Sequence, residues 1–408
     1  MWVWLPGAAE AVVAGVIARD GERYVFGYAR SYLERSEAAS LYEPELPLRP
    51  GPIDPPAGLP VAGCLRDAGP DGWGQQLVWH AMSAGRTRWA DDGEPSLLTL
   101  LLESDSDRIG ALDFQDSPTE YVERTSSPTL DQLVDAAGAF AEGRPIAPGL
   151  DAALLHGTSV GGARPKVLVA APDRPGWIAK LSVSTDPYPV VGAEGACMRL
   201  AGELGLDVPP TATTTVLGRQ VLLVERFDRT ARRPQRRAMV SALTLLGLDE
   251  VSGRYATYPD FAEVVRARFD HPDETLRELF GRLVFNVCIS NTDDHARNHA
   301  AFWDGRRRGL SLTPAYDLCP QLRSGDTAAQ AMAITADGRR ASRLGLCVEA
   351  APIFHLDRRS AEEIVDRQVS VIAERWAGIA AEVGLSEGES DALWGRQILN
   401  PAIHYHDY

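Results

Sequence analysis

The 408-residue sequence is poor in the features that define several protein classes. Its five cysteines, Cys64, Cys197, Cys288, Cys319 and Cys347, stand singly in apolar surroundings with no C-x-x-C pair. That pattern excludes a zinc ribbon or disulfide framework and reads as reduced core thiols of a cytoplasmic protein. No stretch approaches eighteen uninterrupted apolar residues, and Met1 to Pro6 lack a basic segment followed by a long apolar run. Membrane spanning and secretion are therefore not expected. A basic excess is missing too: the formal charge of -15 opposes attraction to phosphate backbones, so DNA is not expected as a direct partner. One basic run, Arg229 to Arg237, opposes that trend and reads as a solvated loop. There is no internal repeat and no low-complexity tract.

What remains is a chain that should fold. Its 45% hydrophobic and 24% charged residues are globular averages, and its length is enough for two cores. Asp20-Gly21 between the runs Ala11 to Ala18 and Arg23 to Tyr28 is a hairpin signal. A Pro/Gly-rich stretch from Pro44 to Pro60 follows, and a helix starts near Trp73. Apolar spacing predicts a helix over Leu130 to Phe140, and Gly143 to Gly149 mark a module boundary near residue 150. Val167 to Ala170 and Trp177 to Leu181 read as a second hairpin, Ala193 to Leu204 as a helix ended by Gly205, and Val216-Leu217 with Val221 to Val224 as a third strand pair. From residue 240 onward the pattern is helical. Leu276, Leu279, Phe280, Leu283, Val284 and Val287 form one sustained stripe, ending near Ser290, and Ser360 with Glu363 reads as the capping box of another helix.

Three polar clusters interrupt these elements. Gly157 to Lys166 is glycine-rich and leads into a strand; its backbone amides suit an anion, and Lys166 adds charge, although a plain turn fits as well. Lys180 sits within an otherwise apolar strand, and Glu194 follows in the first turn of the next helix. That is the lysine and glutamate pairing by which kinases hold nucleotide phosphates, while a lysine snorkelling to water is the plainer alternative. The third cluster is the most specific. Asp293 and Asn298 keep the D-x-x-x-x-N spacing of a kinase catalytic loop, and Asp317 follows the short apolar run Leu310 to Leu312. An aspartate there accepts a hydroxyl proton, and hard oxygen donors suit Mg²⁺. A transition-metal site built from Asp293, Asp294, His295 and His299 is less persuasive, because no H-E-x-x-H spacing is present. His295 is expected to hydrogen-bond within the loop.

These motifs together resemble the HipA family of bacterial serine/threonine kinases, the toxins of HipBA-type toxin-antitoxin pairs. Ser159 to Lys166 looks like the family's glycine loop, Val224 to Arg229 like its v-E-R-F-D-R segment, Asn291 to Asn298 like its N-x-D-x-H-x-K-N loop, and Pro314 to Leu318 like its P-x-Y-D motif. Leu59 to Gly74 resembles the end of the family's N-terminal module. The resemblance implies an α+β, two-lobed, protein-kinase-like fold with an N-terminal β-rich module at 1–115, the rest of the kinase N-lobe at 150–228 and a helical C-lobe at 229–408. It implies ATP and Mg²⁺ as cofactors, with Asp293 as catalytic base and Asn298 and Asp317 as metal ligands. Lys180 would meet the phosphates, helped by Gly161, Gly162, Ala163 and Lys166. Glu225 to Phe227 would form the adenine hinge, and His295 and Tyr316 would border the nucleotide. Ser159 falls where family members phosphorylate themselves; a hydroxyl bonded to loop backbone is the rival reading. Two departures stand out: Arg297 replaces the usual lysine, and Arg164-Pro165 stiffens the glycine loop. The implied partners are a protein substrate, such as an aminoacyl-tRNA synthetase or another translation component, and a HipB-like helix-turn-helix antitoxin, with DNA reached only through it. A catalytically weak scaffold for such a partner and a small-molecule phosphotransferase are the alternatives.

Overall fold

Alternating short runs at the N-terminus build two small antiparallel sheets. Strand β1 (Trp2–Trp4) lies between β2 (Ala11–Val13) and β6 (Leu112–Asp113). Strands β3 (Gly15–Asp20) and β4 (Arg23–Tyr28) pair with Asp20 opposite Arg23, and β5 (Pro52–Ile53) adds to β4. The Asp-Gly signal is therefore a two-residue hairpin turn in which Gly21 supplies a φ of +61°. This computed structural model describes residues 1–408 apart from 71, 86, 90, 92, 125–127, 147–153, 155–161, 163, 171–174, 231–234, 324 and 406–408. Chain contacts divide it into two units. The first comprises Met1–Ser184, Thr214–Val240 and Phe302–Arg308; the second comprises Thr185–Thr213, Ser241–Ala301 and Gly309–Tyr408.

The first unit also holds a four-stranded sheet ordered β7 (Lys166–Val169), β8 (Trp177–Leu181), β10 (Arg219–Glu225), β9 (Thr211–Val216). Val167, Ala179, Leu181 and Val221 share one face of it and are buried against Trp73 and Leu77 of the helix Gly72–Ser83 and Leu133, Val134 and Ala137 of the helix Leu130–Ala141. Thr129 and Gln132 start the latter helix with a reciprocal capping box. Because side chains alternate along a strand, Lys166 and Lys180 occupy the opposite face.

Most of the second unit is helical. The helix Pro272–Cys288 opens with proline, followed by Asp273 and Glu274 in its positive first turn. Its predicted stripe is wholly buried, and so are Arg282, Phe285, Asn286 and Cys288, so neighbours cover it almost all round. The helix Val190–Glu203 begins three residues before the expected Ala193, and Gly205 follows its end at φ +83°. The helix Arg358–Glu382 corrects the expected capping box. Its cap is Asp357, whose carboxylate accepts from the Ser360 amide at 2.7 Å, while Glu363 pairs with Arg359 at 2.9 Å. A carboxylate next to four orphan amides is a strong cap, and it moves the helix start three residues upstream. No helix among the described residues is long and apolar enough to cross a membrane. All five cysteines are free, and all but Cys319 are buried.

In the described part of the basic run at 229–237, Arg229 and Arg236 depart from the solvated loop that composition suggests, whereas Arg237 stays exposed. Arg229 contributes to a buried cluster in the first unit: Asp228 accepts from Arg226 at 2.9 Å, from Arg229 at 2.7 Å and from the Gly110 amide at 2.8 Å. Asp107 bridges both arginines at 2.9 and 2.8 Å. Arg236 stacks on Trp4 at 3.4 Å and Arg237 on Phe302 at 3.1 Å. Carboxylates and ring faces near these positions, distant in sequence, draw the guanidiniums inward. Burial alone would push the Asp228 carboxyl up, but Arg226 and Arg229 outweigh it and hold the group far below the ordinary carboxylate range. Asp228→Asn removes one of the two carboxylates that Arg226 and Arg229 share, so chemical denaturation should show a loss of about 3 kcal/mol. Because the folded value is depressed, Asp228 contributes its full stability above the unfolded value near pH ~4 and loses it as pH falls further. Wild-type stability should therefore drop on acidification below about pH 5, and less steeply in the variant.

Candidate active site

The helix Pro272–Cys288 ends in a Schellman turn. Ser290 sits in the left-handed region at φ +53°, its amide bonds to Val287 O, and the Asn291 amide bonds back to Asn286 O at 2.8 Å. A serine where glycine is usual costs backbone energy, and such strain is characteristic of functional loops. The Ser290 hydroxyl donates to Gln397 O at 2.7 Å and helps hold the turn. From there the loop curls on itself: the His295 amide bonds to Asp293 O, the Asn298 amide to His295 O, and the Asn298 side-chain NH₂ donates to Asp293 O at 2.9 Å. That bond orients the Asn298 amide and leaves Oδ1 as its oxygen donor.

Strands Ala300–Asp304 and Gly309–Leu312 return the chain to Asp317, which also has a left-handed φ of +55°. Asn291 ties it to the loop, donating from Nδ2 to both Asn286 Oδ1 (2.9 Å) and Asp317 O (3.1 Å). Tyr316 adds a second tie through its hydroxyl to Arg297 O at 2.7 Å. The second unit therefore brings Asp293, His295, Asn298, Tyr316 and Asp317 together. Asp293 is an exposed residue, but partial burial of its carboxyl raises it; His295 opposes the shift, and the carboxylates of Asp317 and Asp294 add to it. Two carboxylates that sense each other beside an amide oxygen form a hard, all-oxygen donor set, which fits Mg²⁺ with its small number of protein ligands. Among the described residues no group of three or more His, Cys, Asp or Glu could hold a metal. His299 is instead engaged by Asp294 at 2.8 Å, with both side chains buried.

In the first unit, Lys166 and Lys180 stand directly opposite each other on β7 and β8. Like charges in that register destabilise a sheet unless anionic groups offset them. Gly162 has a φ of +109°, its carbonyl accepts from the Trp73 amide at 3.0 Å, and a Cβ there would meet Lys166 Nζ at 2.2 Å. Glycine is therefore required at this end of the loop. Glu225 ends β10 opposite Trp177, and the next amide, of Arg226, bonds to Gly176 O at 3.0 Å. The Phe227 ring lies 6.1 Å from that of Phe302. Ser159, Gly161 and Ala163 lie outside the described residues. Glu194 is buried on Val190–Glu203 in the second unit, whereas Lys180 belongs to the first. Motif reading missed Asn286, which meets both Asn291 and Asp294; an amide inside an apolar helical stripe was the available signal.

Architecture and site geometry together define an α+β, kinase-like fold. Over all of both chains it superimposes on HipA from the Shewanella oneidensis MR-1 toxin-antitoxin system, solved with HipB and operator DNA, with a TM-score of 0.69 at 19% identity. Residues 158–376 match the HipA-like C-terminal domain and residues 3–115 the HipA N-terminal domain, and the chain belongs to the HipA family. It is 30% identical over 132 residues to "Putative kinase Y4mE" of Sinorhizobium fredii, covering 31% of each chain. It is 26% identical over 152 residues to a "Putative kinase" of Haemophilus influenzae, covering 34% of this chain and 43% of that one. The aligned stretches thus span less than half the length of these relatives.

Asn291→Ala takes a donor from two acceptors. A stability loss of about 1–3 kcal/mol is expected in chemical denaturation.

Proposed function

We propose that this chain is an ATP- and Mg²⁺-dependent serine/threonine protein kinase of the HipA toxin type. The observation that carries the reading is the arrangement of Asp293, Asn298 and Asp317 on one hydrogen-bonded loop system, with the Asp293 carboxyl raised by burial and by Asp317. A raised carboxyl pKa makes the carboxylate a better proton acceptor. Asp293 orients the acceptor hydroxyl and takes its proton, while Asn298 Oδ1 and the Asp317 carboxylate hold the metal. Bound ATP-Mg supplies the phosphoryl group and the charge that offsets the two carboxylates. Lys166 and Lys180, facing each other across β7 and β8, meet the phosphates, with Gly161, Gly162 and Ala163 in the covering loop. The backbone of Glu225 to Phe227 receives the adenine, and His295 and Tyr316 border the nucleotide. Positioning and electrostatics account for the rate.

In this reading the acceptor is a protein hydroxyl in the cytoplasm, of a translation component such as an aminoacyl-tRNA synthetase, and Ser159 is the autophosphorylation site. A HipB-like helix-turn-helix antitoxin is the proposed partner, in line with the HipB and operator DNA bound to the S. oneidensis protein. The chain's formal charge of -15 suits contact with DNA through that partner.

Incubated with ATP and Mg²⁺, the purified protein should gain one phosphate on Ser159 by intact-mass and peptide mass spectrometry, and Asp293→Asn should abolish the gain. Wild-type protein that binds nucleotide normally but gains none would support a scaffold role instead. Transfer to an aminoglycoside or another small hydroxyl compound, with none to protein, would support a small-molecule phosphotransferase. Lys180→Ala should weaken ATP binding by roughly tenfold or more, the worth of one charge-assisted contact. Unchanged calorimetric affinity would remove Lys180 from the site.

A further inference from the structure

Beneath the Asn291–Asn298 loop lies a buried polar cluster with no part in the chemistry above. Asp294 and His299 are 1% and 2% exposed, and His299 Nε2 lies 2.8 Å from Asp294 Oδ1. The fully buried Tyr258 hydroxyl donates to Asp294 Oδ2, and Asn286 hydrogen-bonds the same carboxylate. The rings of Tyr258 and Phe261 each stand 5.8 Å from the His299 imidazole. Among the described residues His299 Nδ1, which is buried, has no hydrogen-bond partner.

As a stabilising device this is poor. Apolar residues of similar volume often serve as well as a desolvated polar pair or better, and the unmade Nδ1 bond adds a penalty. Its placement in the sequence gives it another use. Asp294 follows Asp293 and His299 follows Asn298, so the buried pair repeats the five-residue step of the two functional side chains, displaced by one position. We propose that Asp294 and His299 are positioning residues: their bond closes the loop from beneath and fixes the distance between the Asp293 base and the Asn298 metal ligand. Tyr258 and Asn286 seat the closed loop on the helices Tyr258–Arg268 and Pro272–Cys288. The Ala242 amide, bonded to His299 O at 2.7 Å, holds the far end. This inference rests on the kinase reading and deepens it.

The test combines Asp294→Ala with His299→Phe, which replaces the pair by apolar groups and leaves no stranded charge. The denaturation midpoint should equal or exceed that of wild type. The rate of phosphate incorporation at saturating ATP should fall on the order of tenfold to a hundredfold, as expected of displaced reacting groups. The ATP concentration at half-maximal rate should stay within about threefold, the mark of a loss confined to the chemical step. Two single variants bypass any failure of the double variant to fold. Tyr258→Phe removes only the hydroxyl that Asp294 accepts from and should slow incorporation several-fold, whereas His299→Gln keeps a donor near the Nε2 position and should retain most of the rate. Wild-type incorporation by the double variant, or by Tyr258→Phe, overturns the inference while the kinase reading stands. So does a rate loss matched by an equal loss of folded protein. No phosphate incorporation by the wild type overturns both.

Discussion

A carboxylate cannot be left alone in a protein interior, and each unit of this structure is organised around one that is not. In the first unit Asp228 is enclosed by Arg226, Arg229 and the Gly110 amide. In the second, Asp294 is enclosed by His299, Tyr258 and Asn286. Each carboxylate must find several donors at once, and one donor of each, the Gly110 amide and the Tyr258 hydroxyl, comes from a distant segment, so meeting its needs ties separate segments together. The proposed functional groups are neighbours of these anchors. Glu225 and Phe227 flank Arg226, and Asp293 adjoins Asp294. Their backbone positions follow from the anchoring next door.

The charges proposed to meet ligands are arranged instead as like-charged neighbours. Lys166 and Lys180 face each other across two strands of the first unit, and Asp293 and Asp317 raise each other's electrostatic cost in the second. Neither arrangement helps the fold. The first suits an anionic ligand and the second a cation. The left-handed Ser290 and Asp317 carry a similar cost in backbone energy. Local strain of this kind is the usual relation between a site and its scaffold.

Local signals were legible in the sequence wherever the physics is local. The Asp-Gly hairpin, the apolar stripe of the Pro272–Cys288 helix and the strand pair at 166–181 depend on neighbours within a few residues; the strand expected at Val216-Leu217 instead runs from Thr211 to Val216, and Leu217 and Gly218 form the turn. The loop carrying Asp293 and Asn298, and the return to Asp317, could be read because spacing limits which side chains meet. The signals that failed are those decided at long range. Ser360 looked like a cap, but Asp357 takes that place; Arg229, Arg236 and Arg237 looked solvated because Asp107, Trp4 and Phe302, which they meet, are distant in the sequence. Tyr258 is likewise 36 positions from the Asp294 it supports. Chain order also hid the way each unit is assembled from separate stretches.

The doubled five-residue interval in the loop has a bearing on how it can vary. Adding or removing one residue between positions 293 and 299 would shift the base relative to the metal-binding amide and would also part the histidine from its buried carboxylate. Side chains in the loop can be exchanged one at a time, but its length is set twice, once on the surface and once underneath. Lineages descended from this chain should accordingly vary in side chains there long before they vary by insertion or deletion.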